Sequence, residues 1–466
     1  MFGRALAVAV CALAFAATAN AAPIQQELTI PAGDGAKLSC ALSEPGDPAS
    51  APAGGWPAVM LFHGLGGKHQ DMAAIAAALG PSFASLACDA RGHGASEGQF
   101  GLDGPRDVQD TKELFAWLTA RPEVSDTQVG ALGISLGGGA VWNALTNAVP
   151  FKAAVPIITW TNLATSLAPQ DLSKSGLVSY LAGLVPTSRW APDLLAASAG
   201  LTTSADLTAA KAVSAARSPL GKLASITTPT LLIQGRHDFL FDIDQAIAAY
   251  RALGGPRALY VGDLGHSPAP NPAAEQPAYV GLAFKWFDRY LKGTPNGIEK
   301  TKVLLAHDPY DGQTTAYAGL PATKAISVNL PGSTTIAGAI GKAVRSVRVT
   351  GGPHETFGDS TVTLKYSGAK AWDRLVAVLA VQGTATPITA GGAKVKGAAG
   401  TVTIRLMNEA VKFAAGKKLV LYLSSTSVAQ TGNIGLYLGA VADPSAQVTI
   451  GKVTLKLSVL RKAVSR

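Results

Sequence analysis

Several absences bound what this 466-residue chain does. It shows no interleaving of aromatic and basic residues, no zinc-ligand spacing and no basic helix, so a nucleic-acid partner is not expected. Beyond the N-terminus no apolar run approaches the roughly 20 residues that a membrane span needs. There is no low-complexity tail, and no repeat long enough for a solenoid. Charged residues make up only 15% of the chain and hydrophobic ones 48%, which is too apolar for disorder. That length and composition call for two packed cores. Cysteine is sparse, with three residues at 11, 40 and 88.

The first stretch, MFGRALAVAVCALAFAATANA, carries an early Arg4, an apolar run over residues 5–17 and an Ala19-Asn20-Ala21 tripeptide of the kind signal peptidase cuts after. It reads as a secretion signal over residues 1–21 that takes Cys11 with it. The mature chain is then extracellular or periplasmic and keeps Cys40 and Cys88, in a compartment that permits a disulfide. The net charge of +9 is unevenly spread. From 22 to 300, 19 Lys and Arg face 23 Asp and Glu, a balance of −4; from 301 to 466 the counts are 19 and 7, a balance of +12. The basic half is read either as a surface for anionic partners such as cell envelope or acidic polymer, or as solvated strand faces.

Residues 22–300 alternate compact apolar runs with helical stretches. PAVMLFHG, SFASLACDARG, TQVGALGIS, KAAVPIIT, PTLLIQGRHD and RALYVGDLGHS read as strands covered on both faces. Before them, ELTIP and AKLSCALSEP flank AGDG and read as a hairpin. A β-α-β rhythm predicts an open α/β sheet with its ligand at the carboxyl ends of the strands. Residues 161–228 are too long for a connection and hold three helix-like segments, so they are read as a cap over those ends. From 301 to 466 short strands alternate with Gly, Pro and Ser turns, which predicts an all-β jelly roll or β-sandwich.

The chemistry centres on Gly133-Ile134-Ser135-Leu136-Gly137, a G-x-S-x-G pattern that follows a strand and opens a helix. So tight a turn needs glycine on both sides and lifts the serine oxygen above the sheet, marking Ser135 as nucleophile. A serine hydroxyl needs a base, and the base an acid to orient it. On this fold the order is serine, acid, histidine, which selects His266 and, at the end of the preceding strand, Asp238. Asp242, Asp244 and Asp263 lie near enough to compete; the first two read as the start of a helix. The N–H groups of Leu136 and of Leu65, in the glycine-rich LFHGLGG, are assigned to an oxyanion hole. His63 is read as bracing that loop, and Arg91 and His93 as structural.

Together HGLGG, DARGHGAS, GISLGGG, GRHD and the final GH resemble the α/β-hydrolase superfamily. The GLDGPRDVQDTKELFAWL helix, WFDRYLKG and the β-rich C-terminal half narrow the resemblance to the family of X-Pro dipeptidyl peptidases and cocaine esterase. It implies a Ser-Asp-His hydrolase with a helical cap and a jelly roll beside the site, and no metal or cofactor. Two departures stand out. Members typically carry Tyr after the nucleophile, where Leu136 stands here, and use a Tyr hydroxyl in the oxyanion hole, where this chain offers backbone at Leu65. The acidic groups that an X-Pro peptidase uses to anchor a substrate amine are not identifiable either. The resemblance also places Cys40 and Cys88 on neighbouring strands, leaving a bridge and two free thiols both open.

The expectation is therefore a secreted serine hydrolase of carboxylic esters, small or polymeric, acting through an acyl-enzyme, with Trp142 and Trp160 in the acyl pocket. An X-Pro dipeptidyl-peptidase or amidase is the first alternative. A non-catalytic carbohydrate- or envelope-binding protein is the second.

Overall fold

A computed structural model describes residues 24–267, 269–384, 386–428 and 435–462. The leader expected over residues 1–21 lies outside them. Among the described residues, ten strands form one mixed sheet in the order β1-β2-β4-β3-β5-β6-β7-β8-β9-β10. They are β1 (Ile24–Pro31), β2 (Lys37–Glu44), β3 (Trp56–Phe62), β4 (Ala84–Cys88), β5 (Val124–Ile134), β6 (Ala153–Ile157), β7 (Thr230–Gly235), β8 (Arg257–Gly262), β9 (Val303–Ala306) and β10 (Thr314–Tyr317). From β4 through β3 to β9 the neighbours are parallel. The β1–β2 hairpin and β10 add antiparallel edges.

The central strands are apolar on both faces because both are covered. In β3, Ala58 and Met60 join one core layer, and Val59 and Leu61 join the other. The first layer lies with α3 (below) and holds its Val141 and Trp142; the second holds Trp286 and Phe287 of the last helix of this part. In chain order the helices are α1 (Ala73–Leu79), α2 (Pro105–Thr119), α3 (Leu136–Thr146), α4 (Leu163–Leu167), α5 (Ser175–Ala182), α6 (Pro192–Thr203), α7 (Thr208–Ala216), α8 (Ile243–Ala252) and α9 (Gln276–Tyr290). Four of them, α4 to α7, fall between β6 and β7, in the stretch read as a cap. None is long and apolar enough to cross a membrane among the described residues.

Beyond Tyr317 the chain is antiparallel β. Its strands are β11 (Thr323–Leu330), β12 (Thr334–Ala337), β13 (Lys342–Arg348), β14 (His354–Glu355), β15 (Ser360–Lys370), β16 (Arg374–Val381), β17 (Pro387–Lys394), β18 (Gly400–Leu406), β19 (Lys412–Phe413), β20 (Lys418–Ser424) and β21 (Gln447–Leu460). One sheet runs β11-β21-β15-β18, with β12 also on β21, and a second runs β13-β20-β16-β17. Period-2 patterning drives this pairing. Val362 and Leu364 of β15 and Leu455 and Leu457 of β21 turn inward onto Leu375, Ala377 and Leu379 of β16, while Thr361, Thr363 and Lys456 stay outside.

One expectation changes and one open question is settled. The β-rich part was expected to begin at 301, but β9 pairs in parallel with β8 and β10 pairs with β9, so residues 303–317 extend the first sheet. A short strand looks the same in sequence whichever edge it joins; the exposed edge of β8 decides. The cysteine question also closes. Cys40 stands directly opposite Cys88 in the antiparallel register of β2 and β4, and the two form a disulfide. Directly opposed residues present their Cβ atoms on the same face.

The bridge joins residues 48 apart in sequence. In the chain-entropy account, closing a loop of that size removes about 4 kcal/mol of unfolded-state freedom. Replacing both cysteines with alanine is therefore expected to lower the urea midpoint of the α/β part. The same shift should follow reduction of the wild-type protein, and no shift in either would refute the role.

Candidate active site

Ser135 stands between the end of β5 and the start of α3, with φ 57° and ψ −114°. A non-glycine residue adopts such angles at a cost of order 1–3 kcal/mol, held by its surroundings. Those surroundings are tight. A Cβ at Gly133 would run into the Gly137 carbonyl, and one at Gly137 into the Phe62 carbonyl, with the His63 carbonyl oxygen 2.8 Å away. The Ser135 N–H donates to Ile157 O at 2.9 Å, and Ser135 O accepts from Gly139 N at 3.1 Å. Strand, turn and helix thus leave the Ser135 side chain one direction, out over the carboxyl ends of the strands.

There it meets the two other predicted residues. Ser135 Oγ lies 2.7 Å from His266 Nε2, and His266 Nδ1 lies 2.8 Å from Asp238 Oδ2. Asp238 has no exposed surface. Its Oδ2 also accepts from the His266 N–H at 3.1 Å, while Oδ1 accepts from the N–H groups of Leu240 and Phe241 at 3.0 and 3.1 Å. Four N–H donors therefore hold the carboxylate. With Nδ1–H committed to Asp238, the Nε2 lone pair is left for the serine proton.

The competing acids are occupied elsewhere. Asp242 accepts from the Asn408 N–H at 3.1 Å and Asp244 from the Asn408 side-chain amide at 2.8 Å. Asp263 pairs with Arg236 at 3.1 Å and accepts from Tyr310 N–H at 2.8 Å. His63 braces the loop that carries Leu65: its Nδ1–H donates to Gly64 O at 2.7 Å and its Nε2 accepts from Ala90 N–H at 2.9 Å. Burial holds it below the ordinary histidine value, which keeps it neutral for that pairing. Arg91 forks onto Asp110 with two bonds of 2.7 Å, and burial takes His93 down to about 4. Both bind the turn after β4 and stay away from Ser135.

Ser135 opens into a cleft of about 820 Å³, counted out to its mouth. Leu65 and Leu136 both line it. The Leu136 N–H is the first of α3, where a helix has no acceptor of its own. A Cβ on Gly64 would lie 3.7 Å from Ser135 Cβ, so the loop carrying Leu65 lies against the serine. Trp160 lines the cleft, its Nε1–H donating to Arg217 O at 2.7 Å. Trp142 does not. Its Cα stands roughly 10 Å along α3 from the elbow, by the helical rise. Its side chain is fully buried in the core layer with Val129, Ala131 and Phe151.

Sequence reasoning missed Phe241. Its ring meets that of His266 edge-on, 5.3 Å between centroids, and lies 5.3 Å from Trp160. The signal available was position alone, three residues after Asp238. The cap completes the wall with Leu163, Val178, Leu181, Trp190 and Val213. The lining is apolar but for the hydroxyls of Ser135, Ser198 and Ser214, and includes no charged residue among the described ones.

One group of metal-ligand type is present among the described residues, His237, Asp263 and Asp308, with donor atoms within 4.8 Å of one another. The Arg236 guanidinium already sits on it, 3.1 Å from Asp263 and 3.7 Å from Asp308. That cation balances the charge a metal would.

A model of the X-Pro dipeptidyl-peptidase (S15) family matches residues 34–268. No curated protein matches the sequence. Among solved structures, a CocE/NonD family hydrolase from Staphylococcus aureus is 14% identical with a TM-score of 0.70, over 93% of this chain and 94% of that one. An α-amino acid ester hydrolase is 15% identical with a TM-score of 0.68, over 98% and 100%. An aminopeptidase from a marine sediment Thaumarchaeota archaeon is 14% identical with a TM-score of 0.61, over 94% and 97%. At such identities these three show a shared fold, an α/β-hydrolase domain followed by a β domain.

The crowding at the elbow gives a direct test. Gly137→Ala should lose about 1–3 kcal/mol of stability through overpacking. If Ser135 is displaced by about 1 Å, hydrolytic rate should fall about 100-fold as well. Thermal unfolding and p-nitrophenyl butyrate hydrolysis check the two, and an unchanged rate would contradict the elbow's role.

Proposed function

As a member of the X-Pro dipeptidyl-peptidase (S15) family this chain is an ester or peptide hydrolase, and we propose that it cleaves carboxylic esters with apolar acyl groups through an acyl-enzyme formed on Ser135. The observation that carries the choice of ester is the cleft, whose walls are apolar apart from three serine hydroxyls. A substrate ammonium drawn into such walls would lose its hydration without gaining a counter-charge, at a cost of several kcal/mol. An apolar acyl chain or ring would instead gain about 25 cal/mol for each Å² it buries.

In this reading the Ser135 oxygen adds to the ester carbonyl carbon as its proton passes to His266 Nε2. Asp238 stabilises the imidazolium so formed. The carbonyl oxygen, now negative, is received by the N–H groups of Leu65 and Leu136; one such donor is typically worth about 3–4 kcal/mol in the transition state. Collapse breaks the ester C–O bond, and the departing alkoxide takes the proton from His266. A water deprotonated by the same histidine then attacks the acyl carbon, releasing the carboxylic acid and restoring Ser135.

We further read the protein as exported after loss of residues 1–21. The Cys40–Cys88 bridge supports this, because such bonds persist in oxidising compartments.

Comparing p-nitrophenyl butyrate with an X-Pro p-nitroanilide separates ester from peptide hydrolysis. The ester is expected to have the higher kcat/KM by about 100-fold or more, corresponding to about 2.7 kcal/mol of transition-state preference. The opposite order would make the chain a peptidase. Ser135→Ala should abolish both turnover and fluorophosphonate labelling. A wild-type protein with neither would point to the carbohydrate- or envelope-binding alternative.

A further inference from the structure

The loop that presents Asp238 is held from behind by a lysine of the cap. Lys174 stands just before α5, its N–H donating to Leu167 O at 2.8 Å. Its side chain is among the most completely buried in the protein, at 2% relative exposure. Nζ donates to the carbonyl oxygens of Phe239 and Leu240 at 2.8 and 3.0 Å. Those carbonyls belong to the same two peptide groups whose N–H ends, on Leu240 and Phe241, bind Asp238 Oδ1. In a planar trans peptide the C=O and N–H point in opposite directions. Each of the two dipoles therefore runs from the amine to the carboxylate, with its negative end on Lys174 and its positive end on Asp238.

We propose that Lys174 is a positioning residue for hydrolysis, orienting and polarising the two peptide groups that hold Asp238 and so setting the basicity of His266. The proposal rests on the Ser135–His266–Asp238 reading above. Hydrogen bonds in series strengthen one another, and a buried cation at the far end adds to the field on the carboxylate. The charged groups around Lys174 come from two further elements: Asp238 and Asp242 from the rim loop, and Glu409 from the β-rich part. Asp244 and Tyr437 adjoin Asp242 in the same buried cluster. Burial raises Asp242 to about 7 and Glu409 well above the carboxylate range. Asp238 is the carboxylate that the lysine reaches through hydrogen-bonded peptide groups.

The same contact joins cap, rim and β-rich part. Gly176, two residues on, has its N–H on Leu436 O at 3.0 Å, and Ser175 Oγ accepts from the N–H groups of Leu438 and Gly439 at 3.1 and 3.0 Å. The position of the lysine is thus fixed by both neighbours of the loop it holds.

Lys174→Met keeps the length and removes the donors and the charge. It is expected to lower kcat on p-nitrophenyl butyrate about tenfold or more with KM changed less than threefold, and to move the acid limb of kcat/KM to higher pH, because His266 loses an opposing positive charge. In the Asp238→Asn background the same change should alter kcat less than twofold, since the lysine acts through that carboxylate. Should Lys174→Met not fold, Lys174→Gln retains N–H donors without charge and should show the same limb shift. An unshifted limb in a folded variant, or full additivity with Asp238→Asn, overturns the proposal. Ser135→Ala run alongside separates this failure from that of the reading beneath it: if that variant still turns over, the mechanism itself is wrong.

Discussion

A carboxylate stripped of all water is the constraint on which the carboxyl edge of this sheet depends. Asp238 is fully buried, and an unpaired charge there would be untenable. The fold answers with three backbone N–H donors, the imidazole N–H of His266 and, one peptide group further out, the Lys174 amine. Each donor requires a particular backbone course. The loop from Asp238 to Phe241 must curl around its own first side chain, and Gly265 must let the His266 segment close over it. A Cβ at Gly265 would lie 3.0 Å from Asp238 Cβ, on a backbone with φ 145°.

A second buried ion ties this loop to the rest of the molecule. Arg236, two residues before Asp238, has no exposed surface. It pairs with Asp263 at 3.1 Å, three residues before His266, and with Glu355 at 3.1 Å. It also donates to the carbonyls of Ala306 and Ala410. The end of β7, the loop after β8, the end of β9 and the β-rich part therefore converge on one guanidinium. Breaking such a pair typically costs about 3–5 kcal/mol, because the partner charge is left buried. The segments carrying Asp238 and His266 are thus anchored together, and the β-rich part supplies Glu355 and the Ala410 carbonyl to that anchor.

The elbow obeys a different logic. Its geometry is steric and local: Ser135 is held at positive φ by a turn in which Gly133 and Gly137 come too close to backbone to carry side chains. Strain at Ser135 and burial at Asp238 are both unfavourable by themselves. They persist because each is enclosed by well-packed sheet and helix, with Phe241 set edge-on against His266 and tilted against Trp160.

Local rules made much of this legible in the chain itself. The glycine spacing, the strand that precedes it and the order of acid and histidine named Ser135, Asp238 and His266, because a tight turn and the ends of strands depend on a few adjacent residues. Alternation of period two marked the β-rich part for the same reason. What only the tertiary structure decided are the contacts between distant segments. Trp142 and Trp160 are equally apolar in sequence, yet one enters the core and the other the cleft. Strands β9 and β10 join whichever sheet edge is free to pair. Cys40 meets Cys88 through strand register. Lys174 and Arg236 look like ordinary surface cations in the chain, and are buried because folding brings carbonyls from segments 65 to 174 residues away around them. Pattern specifies which face of an element is apolar; which partner that face meets is set by packing the whole chain at once.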